Sequence, residues 1–193
     1  MGYTLISRSE FDNTATSTVD FTLNSDYDEI LFVLSGFYPS ANDRHLSWQV
    51  ITSGEGGYDR PIQSAVSGHW LYAYDYSHGA MRYEHSYDSD VSHENYQRFG
   101  ISAHTSYKQH SNASGTMTLY KPHDTNFYKY FVTESQGYQA HLSAFQQYLH
   151  IMNTAGYVKE TAALTGIRFV STDSSGDQDG TIKYLALSMY GLE

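Results

Sequence analysis

From Tyr3 to Tyr190 the chain repeats one pattern: a short segment of alternating apolar and polar residues, closed by Gly, Asn, Asp or Ser. Leu46-Ser47-Trp48-Gln49-Val50 and Thr116-Met117-Thr118-Leu119-Tyr120 show it plainly. A period of two turns one set of side chains to a core and the other to solvent, which is the mark of a half-buried β-strand. About a dozen such segments, with hardly a helical stretch between them, predict an all-β chain built as an antiparallel β-sandwich or barrel.

The pattern places strands at Tyr3 to Arg8 and at Thr16 to Leu23, the second with Val19, Phe21 and Leu23 on one face. Glu29-Ile30-Leu31-Phe32-Val33-Leu34 is the most apolar run and predicts a central strand covered on both sides. Tyr38 to Asp43 reads as a loop, because Pro39 has no N–H to give a ladder. His45 to Ile51 alternates with Leu46, Trp48 and Val50 inward, and Ser53 to Gly57 is a turn. Between Tyr58 and Asn95 the pattern is weakest. There His69 to Tyr76 and Ala80 to His85 read as a hairpin around Ser77-His78-Gly79, followed by a polar loop at Ser86 to Asp90. Tyr96 to Ala103 is a strand and Lys108 to Gly115 a break. Met117 to Lys121 and Phe127 to Thr133 form a hairpin across Pro122 to Asn126. Gln139 to Ala144 and Tyr148 to Met152 flank a short helical turn at Ser143 to Gln147, with a further break at Ala155-Gly156. Leu164 to Ser171 and Thr181 to Tyr190 close the chain. No shift in composition, linker or fixed-period repeat divides residues 1–193, so the expectation is a single, free-standing β-sandwich domain.

Composition narrows the partners. The 193 residues include no cysteine, which removes disulfides, thiolate metal sites and thiol nucleophiles and fits synthesis in a reducing cytoplasm. Eleven Lys and Arg against 21 Asp and Glu give a formal charge of −10, which repels phosphate backbones and anionic bilayers; nucleic acid is not an expected partner. Neither a secretory signal nor a membrane-spanning run is readable, so no membrane insertion is expected. Ten histidines would carry the charge toward zero if all were protonated near pH 5. Nineteen tyrosines are the outlier, and such rings suit a strand face that packs against a partner as well as one that is merely solvated.

Candidate chemistry is sparse. Zinc spacings such as His-x-His or His-Glu-x-x-His are missing; His93-Glu94 has no second His at the required step. Asp173 to Gly180 imitates a calcium loop through Asp173, Ser175, Asp177 and Asp179, without the Gly at its sixth position or the Glu at its twelfth; a solvated turn explains it more simply. There is no Gly-x-Ser-x-Gly elbow, P-loop or dinucleotide fingerprint. Asp26-Tyr27-Asp28-Glu29 does not match the paired carboxylates of sandwich glycosidases. Gln49-Val50-Ile51 and Tyr130-Phe131-Val132 are only superficial echoes of a polysaccharide lyase. No catalytic, cofactor or metal residue is therefore expected. Trp70, Tyr72, Tyr74, Tyr76 and His78 form the one ring-rich stretch suited to stacking on a glycan or a protein partner, although sheet packing accounts for them too.

Two stretches resemble a family. Tyr27-Asp28-Glu29, the apolar strand that follows and the Pro39 loop, then Leu46-Ser47-Trp48-Gln49-Val50, are similar to segments of small β-sandwich virion proteins of tailed bacteriophages, marine and cyanobacterial ones especially. Leu164-Thr165-Gly166-Ile167-Arg168-Phe169, Gly176 and Gly180-Thr181-Ile182-Lys183 resemble their closing strands, although here Tyr184 to Ser188 intervenes before Met189-Tyr190-Gly191. The resemblance follows nearly the whole chain through strand-and-turn patterns. It implies a jelly-roll-like module of a capsid decoration (cement) protein, head fibre or tail fibre, made in the host cytoplasm, located in the virion and often trimeric. It carries no catalytic or cofactor residue. The leading expectation is a non-catalytic decoration protein that meets itself as a homotrimer and other virion proteins such as the major capsid protein. A tail-fibre or receptor-binding module that holds a host surface glycan is the alternative, and a sandwich-type polysaccharide lyase or hydrolase the third.

Overall fold

The computed structural model describes residues 2–23, 26–41, 44–52, 62–74, 85–89, 96–100, 113–140, 146–173 and 178–192. Their regular structure is entirely strand: β1 (Thr4–Thr16), β2 (Thr18–Thr22), β3 (Glu29–Pro39), β4 (His45–Thr52), β5 (Ile62–Tyr74), β6 (His85–Ser89), β7 (Gln97–Gly100), β8 (Ala113–Tyr120), β9 (Lys129–Ala140), β10 (Gln146–Val158), β11 (Leu164–Thr172) and β12 (Ile182–Leu192). They form two antiparallel sheets packed as a β-sandwich. The larger runs β1-β12-β3-β8-β9-β10-β5-β6 and the smaller β2-β11-β4-β7. Successive strands lie in different sheets at every step except β5 to β6, β8 to β9 and β9 to β10.

Alternation explains the core. On β2, Val19, Phe21 and Leu23 just beyond it are buried; on β3, Ile30, Phe32 and Leu34; on β4, Leu46, Trp48 and Val50; on β11, Ile167 and Phe169. Phe32 of the larger sheet meets Phe169 of the smaller edge-to-face at 5.3 Å, and Phe21 meets both, at 5.8 and 5.9 Å. Phe99 on β7 completes the cluster 6.0 Å from Phe169. A second bridge, Trp48 on β4 against Phe131 on β9 at 4.9 Å and 88°, ties the far side of the sheets together. Edge-to-face pairs set the positive rim of one ring against the negative face of the other and add about 0.5–1.5 kcal/mol each to simple burial.

Several expectations are corrected. β1 runs on to Thr16: Asn13 takes a left-handed φ of 58° beside an irregularity in the β1–β12 register between Asp12 and Thr16, which bends the strand before it changes sheet at Ser17. β3 extends to Pro39, which sits at the strand end where a missing N–H is tolerated. It is an interior strand, but its outward residues Leu31 and Val33 remain half-exposed, so the expected cover on both sides is only partial. Ser47 and Gln49 on β4 are buried although alternation assigned them to solvent; Ser47 shares a 2.7 Å hydroxyl hydrogen bond with Thr172, and Gln49 Oε1 accepts from the Val50 N–H at 2.8 Å.

The β5–β6 hairpin exists, but Ala65 to His69 pair with His85 to Ser89, so the loop expected at Ser86 is strand; Ser77 to Gly79 lie outside the described residues. Ala113 to Gly115 belong to β8 rather than to a break. Ala155-Gly156 lies within β10, held in register by partners on both sides, and such pairing overrides a local Gly signal. Gln146 and Gln147 begin β10 instead of ending a helical turn, whose other residues are outside the described set, as is the turn at Ser53 to Gly57.

Gly191 on β12 makes room for a neighbour: a Cβ there would lie 2.3 Å from Cγ of Tyr27, whose ring packs against the core. Phe169→Ala is expected to lower unfolding stability by about 3–5 kcal/mol through the cavity it leaves. Gly191→Ala is expected to lower it by about 1–3 kcal/mol through overpacking. Urea unfolding followed by tryptophan fluorescence measures both.

Candidate functional site

The outer face of the larger sheet carries a band of apolar and aromatic side chains. Register defines it. Leu5 pairs with Tyr190, Tyr190 with Leu31, Leu31 with Thr118, Thr118 with Val132, and Val132 with Ala155, a row across six strands from β1 to β10. On one side of it lie Leu192, Glu29 and Tyr120, then the cross-strand pair Tyr130 and Tyr157. Leu5, Val132 and Tyr130 are exposed, Tyr130 by 57%. At about 4.8 Å between strands the row is ~24 Å long, and with the flanking residues it covers on the order of a few hundred Å². Scattered exposed apolar residues are ordinary, whereas a contiguous patch of this order matches the largest that a typical monomer exposes, which is often functional.

The loop joining β8 and β9 extends the band. Tyr128 stacks on Tyr157 at 5.4 Å with planes 3° apart, Tyr130 leans on the same ring at 5.9 Å, and Phe127 is 68% exposed. This loop is closely held. Asp124 Oδ1 accepts from the N–H groups of Asn126 (2.6 Å) and Phe127 (3.1 Å). The Asn126 bond above all holds the Asp124 carboxyl below its usual range. Lys121, at a left-handed φ of 45°, donates its N–H to Asp28 O at 2.6 Å, and Leu164 N–H donates to Pro122 O at 2.9 Å.

Lys129 fastens the loop from beneath. It is fully buried, and its Nζ donates to Phe127 O at 3.2 Å and to Glu160 O at 3.1 Å, so one ammonium ties the β8–β9 loop to the β10–β11 loop. Desolvation lowers its pKa, against the opposing pull of the Asp124 and Glu160 carboxylates. Glu160 is itself turned back, its Oε1 accepting from Thr161 and Ala162 N–H at 2.8 Å each. The outcome is a rigid platform with Phe127 and Tyr128 facing water.

On the same flank of the band the Tyr3 hydroxyl donates to Glu29 Oε1. That hydrogen bond, reinforced by desolvation and by the Glu29 charge, pushes the Tyr3 pKa up to about 12.

The residues singled out in the sequence are distributed differently. Trp70, Tyr72 and Tyr74 occupy alternate positions of β5, opposite His150, Tyr148 and Gln146 of β10, while Tyr76 and His78 lie outside the described residues. His93 and Glu94 also lie outside them. Gln49 is buried in the smaller sheet and Tyr130 faces solvent on the larger, so the lyase echo is not brought together. In the calcium-like loop, Ser175 and Asp177 are outside the described residues, and the Asp179 carboxylate accepts from the Arg44 guanidinium. Among the described residues no three His, Asp or Glu side chains converge as metal ligands, and no helix is long and apolar enough to cross a membrane. The band itself was missed. Its signal was present in Tyr120, Phe127, Tyr128, Tyr130 and Val132 crowded within one hairpin, at alternate positions on β9.

Lys129→Ala is expected to cost about 2–4 kcal/mol, because it leaves two carbonyls unpaired and a void; Lys129→Met, which keeps the bulk, is expected to cost less. Thermal unfolding monitored by circular dichroism ranks the two. For Tyr3 the folded pKa lies above the unfolded one, so the bond's contribution is complete below pH 10 and is lost as pH rises toward 12. Exposure and screening limit it to at most about 1 kcal/mol. The stability gap between wild type and Tyr3→Phe is therefore expected to close across that window, which unfolding curves measured from pH 8 to 12 would show.

Comparison with protein-family models, curated proteins and solved structures finds no match.

Proposed function

We propose that this chain is a non-catalytic structural protein of a bacteriophage virion, a capsid decoration protein that assembles with copies of itself as a homotrimer and docks on the head shell. The observation that carries this reading is the apolar band with its tethered aromatic loop. It is a surface suited to burial against protein. Leu31 and Val33 add to it, since they belong to the most apolar run of the chain and stay half-exposed. The strand order supports a jelly-roll core, with β1-β12-β3-β8 against β2-β11-β4-β7 in interleaved sequence and β9, β10, β5 and β6 widening one sheet. The sequence resemblance to phage virion proteins points the same way and supplies the trimer.

Physically, three copies would remove the band from water and leave the acidic remainder of the surface to keep the assembly soluble. Light scattering coupled to size exclusion at micromolar concentration is expected to give three times the chain mass. Replacing Tyr130 and Val132 together by Ser is expected to return a monomer with an unchanged β spectrum. A wild-type monomer under these conditions would overturn the assembly, and a map of the parent particle tests its place on the head against a place on the tail.

A further inference from the structure

Beyond the apolar band, the same outer face turns polar and concave. Past the row ending at Val132 and Ala155, Thr116 pairs with Glu134 and Glu134 with Asn153; one step further, Ser114 pairs with Gln136 and Gln136 with Ile151. These six side chains, with the backbone of Gly115 and Ser135 between them, line a depression of about 310 Å³. The lining side chains are short on β8 and longer on β9 and β10 to one side of it. At the floor the strands approach closely: a Cβ on Gly115 would lie 2.3 Å from Glu134 O.

We infer that this groove is a binding site for a neutral saccharide. The lining supplies hydroxyls and carboxamides that both donate and accept, at Ser114, Thr116, Gln136 and Asn153, and one carboxylate acceptor at Glu134. Sugar hydroxyls need that mixture. Ile151 offers an apolar spot for a C–H face at one end of the depression, and Val132, two residues along β9 from Glu134, borders the other end. Gln136 Nε2 lies 3.4 Å from Ser114 Oγ, a long contact that a ligand hydroxyl can replace.

Other ligand classes fit less well. Among the described residues the only charge in the lining is negative, which disfavours phosphorylated or sialylated groups, and a single carboxylate is too few for a hard cation. An added peptide strand needs a free sheet edge, whereas β8, β9 and β10 are interior strands with neighbours on both sides. The volume lies at the lower end of the range for small-ligand sites, the scale of a short saccharide segment. The inference does not rest on the assembly reading, because a monomer carries the groove as well.

Saturation-transfer NMR tests it with neutral trisaccharides of glucose, galactose, mannose and N-acetylglucosamine, and sialyllactose as the anionic control. At least one neutral trisaccharide is expected to bind in the millimolar to high-micromolar range. Glu134→Ala combined with Asn153→Ala is expected to weaken it about tenfold or more, the equivalent of losing two hydrogen bonds. Both residues point to solvent, so circular dichroism and light scattering should leave fold and oligomeric state unchanged. Failure of every neutral trisaccharide, equal binding by the double variant, or a preference for sialyllactose would each overturn the site. None of these outcomes bears on the assembly, which the light scattering reads separately.

Discussion

The edge-to-face contact between Phe32 and Phe169 is the constraint on which the rest of the sandwich depends. β3 is flanked by β12 and β8, and β11 by β2 and β4, so a single ring pair fixes the centre of one sheet against the centre of the other. With the two centres fixed, Phe21 and Phe99 have one place to pack, and Trp48 meets Phe131 at a second point. Two separated bridges stop the sheets from rotating about either one. The inward set of each strand is thereby chosen, and its outward set with it.

The outward set is where the molecule has character. On β8, β9 and β10 the same alternation that buries Met117, Phe131 and Met152 turns Thr118, Val132 and Ala155 outward, then Thr116, Glu134 and Asn153 one step along. On these three strands part of the apolar band and the polar concavity thus lie side by side. The loops hold instead of reaching. Lys129 spends its charge on two carbonyls, and the cost of burying it is offset by fixing the turn that displays Phe127 and Tyr128.

Much of this was legible in the sequence, and the boundary of legibility is physical. Strands whose inward residues are large and alternate, such as β2, β4, β11 and β12, stand where the pattern put them. The pattern failed where pairing, not composition, decides. Ala155-Gly156 looks like a break, yet it is strand because Val132 and Phe131 on one side and Ala65 and Ser64 on the other hold it. Ser47 and Gln49 look solvated, yet hydrogen bonds within the protein satisfy them away from water. Tyr27 and Gly191 each stood within a recognisable motif, but only the fold shows that one exists to admit the other. The apolar band was legible only in its β8–β9 part, for a related reason. Its members are scattered from Leu5 to Tyr190, and register alone lines them up.

The strand order also governs when this protein can become itself. β11 lies between β2 and β4, and β12 between β1 and β3, so these two late strands take interior places in both sheets. While a ribosome is still making residues before Leu164, β1 and β3 have no strand to join them, and neither have β2 and β4. Completing both sheets therefore waits for β11 and β12 and joins strands far apart in sequence, which slows folding and leaves open ladder edges in the meantime. A surplus of ten negative charges keeps unfinished chains apart as well as finished ones.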